Sequence, residues 1–373
     1  MDNQYSLLSD QDALAGSLFA RFTVHESGRK AKRAVKRMAG SVPGATDVLK
    51  RAWVEGRRLG ERASFALSGP PDPSSAWLLA SSGRSGSTWL GDMLAATPGT
   101  QQIFEPLDPR NSKAYRKLMD WPPDLTPSAF KRHYLRPETD APEWGAFWED
   151  VLSGRVRTYL TDYTRTHFLP KRFLIKTIRA NMMLGFVATR FRPRVVFLMR
   201  HPAAVINSMF YRVKTSWPAD VQDLLAQEAL VEDVLRPWVG EIERVSNGFE
   251  ALAVWWAVEN RVALDQLRRR EHYLIFYEWL ALHPREEIGG VLRWLGMNEN
   301  DAPESMLYRY SRMTSVRQRQ SQEKDVMKRL SAWRQELTPE EQKIVRRWAE
   351  LFQIPWYEED ILPMGQSGPR GGS

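Results

Sequence analysis

Seven residues from Ser82 to Thr88, Ser-Gly-Arg-Ser-Gly-Ser-Thr, have the types and order needed to hold an anion. Gly83 and Gly86 let the backbone approach a phosphate or sulfate closely. Trp89, Leu90, Met93 and Leu94 follow at helical spacing, so a helix starts near Ser87 and its free N–H groups point back at the loop. Arg84 adds a planar fork of donors suited to phosphate or sulfate. Two other readings of such a loop fail on residue identity. A nucleotide P-loop needs Gly-Lys-Ser/Thr after four spacer residues, and no Lys occurs between Ala76 and Lys113. A nucleophile elbow needs a Gly two residues after its Ser, and Ser87 stands there instead. An ordinary strand–turn–helix with a surface Arg stays open on this loop alone.

The loop needs a strand before it, and Ala76 to Ala80 is an apolar run of the right length for a buried parallel strand. Further short strands are predicted over 101–104, 173–177, 195–199 and 273–276. They end at Glu105, Lys176-Thr177, Arg200 and Tyr277. Helices are predicted between them: 147–168, 182–191 with Asn181 as N-cap, 203–211 and 249–267. A helix over 284–295 follows the last strand. Thr338-Pro339-Glu340-Glu341 reads as a capping box opening a final helix to Phe352. Strands alternating with helices predict an α/β class: a P-loop-like three-layer fold with a central parallel sheet flanked by helices. Residues 107–145 and 212–248 read as irregular excursions.

Composition narrows the chemistry. The chain has 373 residues, 43% of them hydrophobic and 26% charged, so it is globular. It contains no cysteine, which excludes disulfides, thiolate metal sites and Cys nucleophiles. Net charge is +8, which suits an anionic donor, an acidic polymer or a membrane surface. No apolar run approaches the roughly 18 residues of a membrane span, and Met1 to Asp10 lacks signal-peptide form. The expected location is cytoplasmic. Residues 1–70 read as a basic helical N-terminal extension, 71–365 as the main domain and 366–373 as a flexible tail. The basic, Trp-bearing stretch 28–67 could rest on the inner face of a membrane or pack as a solvated helix on the core.

Arg200-His201-Pro202 closes the fourth strand and opens a helix carrying Ser208. With the first loop, this resembles the PAPS-dependent sulfotransferase family. RSGSTWLGDML followed by IFEP is most similar to its carbohydrate (Golgi-type and bacterial) branch. Tyr277-Glu278-Trp279-Leu280 resembles the family's Tyr-Glu-Asp-Leu, with Trp279 in place of Asp. Ala332-Trp333-Arg334 with Leu337-Thr338 resembles its C-terminal Trp-Arg element. The likeness runs from about 76 to 357.

The resemblance implies PAPS as donor, PAP as product and no metal. It implies that Arg84, Ser85, Gly86, Ser87 and Thr88 hold the 5′-phosphosulfate, and that Arg200 and Ser208 hold the 3′-phosphate. Trp89 and Tyr277 would contact adenine, and the basic loop with Ser315 and Arg317 would close over the nucleotide. Cytosolic members use the His of Lys-Thr-His as base. Here the strand reads Lys176-Thr177-Ile178, and His167 precedes the strand instead of ending it. Glu105, in the Phe-Glu-Pro context, is the base the resemblance implies. It lies 21 residues after Arg84, the separation found in tyrosylprotein sulfotransferases. Lys176, at the adjacent strand end, is expected to neutralise the sulfuryl group.

The implied acceptor is a hydroxyl of a saccharide or glycolipid, with no nucleic-acid partner. Three alternatives stay open: a P-loop-type nucleotide kinase or NTPase, a sulfotransferase acting on a tyrosyl or small-molecule hydroxyl, and a non-catalytic binding module.

Overall fold

The computed structural model describes residues 56, 59–60, 63, 65–67, 69–122, 132–156, 158, 170–212, 219–307 and 326–371. Most of the basic stretch 28–67, and His167, Ser315 and Arg317, lie outside the described residues.

Six strands form one sheet: β1 (Trp77–Ser81), β2 (Thr100–Phe104), β3 (Arg172–Thr177), β4 (Arg194–Met199), β5 (His272–Phe276) and β6 (Gly368–Arg370). Their order is β2-β3-β1-β4-β5-β6. The first five are parallel, and β6 runs antiparallel against β5. Residues 366–373 were expected as a flexible tail. Instead Gly368 pairs with Leu274 and Arg370 with His272, because β5 would otherwise leave its edge hydrogen-bonding groups open.

The apolar strands alternate faces with the two-residue period of a pleated sheet. Leu78, Ala80, Ile175, Phe197 and Phe276 enter one buried cluster, while Trp77, Leu79, Leu174, Val196 and Ile275 enter the other. Both faces are covered, as parallel sheets require. On one face lie α1 (Ser87–Ala95), α7 (Tyr277–Leu282) and α8 (Pro284–Trp294). On the other lie α3 (Pro142–Leu152), α4 (Leu184–Phe191), α5 (Pro202–Phe210), α6 (Gly248–Leu267) and α9 (Pro339–Leu351). A short α2 (Lys113–Leu118) precedes α3. The Thr338 capping box is formed, with Glu341 closing it.

Three boundaries differ from expectation. The helix predicted over 147–168 stops at Leu152. Gly154 has φ +79 and a Cβ there would meet the Phe173 ring at 2.1 Å, so the chain turns away. Asn181 caps nothing; it opens a 3₁₀ turn, and Met183 stands at the N-cap of α4. Residues 222–242, expected to be irregular, form a string of short helical turns.

Candidate active site

Every parallel strand ends at a residue picked out above, and the strand order lays those residues in a row along the carboxyl edge. The row reads Glu105 after β2, Lys176 near the end of β3, the 82–88 loop after β1, Arg200 after β4 and Tyr277 after β5. This edge is where open α/β sheets bind ligands, at the point where strand order reverses. Here the reversal falls at β1, which has β3 on one side and β4 on the other.

The loop is clamped from below. Gly86 has φ +92, and a Cβ there would strike the Tyr277 ring at 2.4 Å, so only glycine fits between ring and loop. Arg84 is left-handed at φ +62, a strained conformation for a residue with a side chain. Its carbonyl accepts from Arg200 Nη1 at 2.8 Å, and its own Nε donates to Ser208 Oγ at 3.0 Å. The two expected anion cradles are therefore joined directly. Burial first, then the neighbouring Arg200, pulls Arg84 below its ordinary guanidinium value. Arg200 lies over the Tyr277 ring at 4.4 Å. Ser87 and Thr88 begin α1 and are buried. Among the described residues, Ser85 Oγ and Arg200 Nε are buried without a hydrogen-bond partner. Trp89 meets Tyr277 edge-on and donates to the Met306 carbonyl at 3.2 Å.

Behind Arg200 sits a layer that sequence reasoning missed. His201 stacks on Trp333 at 4.4 Å, and its backbone N–H donates to Glu278 at 3.0 Å. Tyr357 O–H donates to the other Glu278 oxygen, also at 3.0 Å. Burial pushes Glu278 up, whereas burial and then Arg200 drive His201 down to about 3. His201 is thus neutral at pH 7 and adds no cation to the cradle. Asn260 on α6 donates to Ser82 Oγ at 2.8 Å, beside a buried ion pair of Glu259 and Arg132 at 3.0 Å. A Glu-Asn pair directly after the apolar run 251–258 was the available signal.

The other end of the row is a closed charge network. Glu105 Oε1 accepts from Lys176 Nζ at 2.6 Å. Its Oε2 accepts from Arg179 Nη1 at 2.9 Å and from the Ile178 backbone N–H at 3.3 Å. Ile178, which follows Lys176-Thr177, thus offers its backbone as a donor. Glu105 also has a left-handed φ of +50. Its N–H donates to the Lys176 carbonyl at 2.8 Å, which fixes that geometry. Arg179 Nη2 reaches Asp108 at 3.1 Å, and Arg110 binds Asp108 through two nitrogens. Burial pushes the Asp108 carboxyl up, but Arg179 and Arg110 outweigh it and hold it at about 2. Glu105, Lys176 and Arg179 are each under 5% exposed, so this part of the network is enclosed, and exposed Arg110 closes it at the surface.

An anion cradle whose Ser85 Oγ and Arg200 Nε lack partners among the described residues, on the same sheet edge as a held carboxylate, can bind a phosphorylated donor and present a base to an acceptor. No curated protein matches the chain. Three solved structures show likeness. The sulfotransferase domain of the Synechococcus PCC 7002 olefin synthase is 21% identical over 78% of this chain and 97% of that one, with a TM-score of 0.43. The sulfotransferase domain from the curacin biosynthetic pathway is 19% identical over 74% and 97%, with a TM-score of 0.40. Mouse sulfotransferase SULT7A1, solved with PAP, is 14% identical over 75% and 86%, with a TM-score of 0.37. Residues 79–301 match the profile of the sulfotransferase family, and the chain belongs to that family as a sulfotransferase.

Proposed function

We propose that this sulfotransferase moves a sulfuryl group from PAPS to a hydroxyl of a carbohydrate or glycolipid, with Glu105 as general base. The observation that carries the reading is the row along the sheet edge, with Glu105 at one end and the two joined cradles at the other.

The residues present fit the donor. Among the described residues Ser85 Oγ and Arg200 Nε are buried with no hydrogen-bond partner, and the turn beside them admits only glycine at Gly86. Bound PAPS supplies an activated sulfuryl group on a 5′-phosphate. Arg84, Ser85 and the amides of Gly86, Ser87 and Thr88 would hold the 5′ end, and Arg200 with Ser208 the 3′-phosphate. Tyr277 and Trp89 would flank the base, and Ser315 and Arg317 belong to the same proposal. Lys176 supplies a cation against charge spreading over the transferring group. Glu105 accepts the hydroxyl proton as the new bond forms.

The Phe-Glu-Pro setting of Glu105 supports a sugar hydroxyl. Residues 28–67 would rest on an anionic membrane surface and bring a glycolipid within reach. The test is labelled-sulfate transfer from PAPS to glycans, to glycolipids in anionic vesicles, to tyrosine peptides and to phenols. Label is expected in a glycan or glycolipid. Label confined to peptides or phenols would sink the acceptor assignment.

A further inference from the structure

Arg179 is absent from the roles assigned so far. It is buried. Its guanidinium is shared between two carboxylates, with Nη1 on Glu105 Oε2 at 2.9 Å and Nη2 on Asp108 Oδ2 at 3.1 Å. Its own backbone N–H donates to Thr177 Oγ1 at 3.1 Å, which ties the residue to the end of β3.

Glu105 is clamped along the main chain but not by it alone. Its N–H is bound to Lys176, and Asn111 Nδ2 donates to the Phe104 carbonyl at 2.6 Å. Those bonds fix the left-handed turn and leave the side-chain torsions open. Of the three donors on the carboxylate, Lys176 has a second demand, the charge of the transferring group. The Ile178 N–H is a long contact at 3.3 Å. Arg179 is the remaining short donor, and a planar fork fixes direction as well as distance. Asp108 holds the far side of that fork, and Arg110 holds Asp108.

We propose that Arg179 is the positioning residue of this site: it aims the Glu105 carboxylate, with Asp108 as its anchor. The inference rests on Glu105 being the base. Acting through Glu105, Arg179 must lose its influence once Glu105 cannot take a proton, because residues that act as a unit are non-additive. A residue that merely stabilises the fold would depress turnover by the same factor in either background.

The experiment is a double-mutant cycle on the full chain, with Arg179→Gln, Asp108→Asn and Glu105→Gln alone and combined. Turnover is read as PAP release from PAPS with octyl β-D-glucoside, which counts transfer to its hydroxyls and to water alike. PAP affinity by calorimetry reports the fold. Arg179→Gln is expected to cost roughly a hundredfold in kcat, the scale of an ångström-level misplacement, with PAP affinity within about twofold. Asp108→Asn is expected to cost roughly tenfold, consistent with loosening one side of the fork. Neither is expected to lower turnover further in the Glu105→Gln background. Equal losses in both backgrounds, or no loss in the parent, would overturn the positioning role. Should Arg179→Gln fail to bind PAP, the Asp108→Asn arm decides by the same criterion. If Glu105→Gln keeps parent turnover, the base assignment fails and this inference with it. If Glu105→Gln is impaired and the cycle is additive, only this inference fails.

Discussion

The two ends of the sheet edge treat charge in opposite ways. At the Arg84–Arg200 end, cations meet each other and a backbone carbonyl, and Ser85 Oγ and Arg200 Nε are buried without hydrogen-bond partners among the described residues. At the Glu105 end, Lys176, Glu105, Arg179, Asp108 and Arg110 alternate in sign, each bound to the next. Unpaired buried donors are costly unless a ligand satisfies them. An alternating, largely buried network instead satisfies itself and holds its members in one arrangement. The first end therefore suits an anion from outside the protein, as proposed above, and the second holds one carboxylate in place.

The sharpest way to separate the two ends is Glu105→Gln, which keeps size and removes basicity. Turnover is expected to fall by roughly 10²–10⁴ while PAP affinity changes little. A control, His167→Ala, should stay near parent activity. Steady-state rates beside calorimetry check both; a collapse in the His167 variant would point to a base the Phe-Glu-Pro alignment missed.

Next in size is the donor end. Arg200→Ala or Ser208→Ala should weaken PAP binding by about 1.5–3 kcal/mol per lost charge-assisted contact, or about 10- to 150-fold. AMP, which lacks the 3′-phosphate, should be affected far less. Parent protein binding PAP and AMP equally well would remove the 3′ assignment.

The smallest effect concerns stability and belongs to the closed end alone. The Asp108 carboxyl sits at about 2 in the fold against 3.8 for the free side chain. A lowered carboxyl stabilises the fold above the unfolded value and stops doing so as pH falls through the folded one. Its contribution, about 2 kcal/mol, is thus complete above about pH 4 and fades toward pH 2. Urea melts of the parent and Asp108→Asn at pH 7, 4 and 2.5 should converge at low pH. Parallel curves would show that Asp108 is not titrating in that window.

Much of the molecule was legible beforehand for simple physical reasons. The five parallel strands are short apolar runs bounded by turn residues, and burial on both faces leaves few other options for such runs. The 82–88 loop was legible because glycine, small hydroxyl residues and a helix start lie in sequence together. Glu105 and Arg200 stood out as charges at strand ends.

What stayed hidden depends on contacts between distant segments. Arg179 follows Lys176 by three residues and reads as a surface cation until β2 and β3 pair and bring it against Glu105 and Asp108. The Arg84–Ser208 bond spans 124 positions and exists because β1 and β4 are neighbours. The end of the chain reads as a polar tail, yet it completes the sheet because β5 has an open edge there. Local sequence determined which residues could do chemistry and which elements carry them. The order of strands in the sheet decided which of those residues meet, because register and neighbour choice come from packing both faces at once.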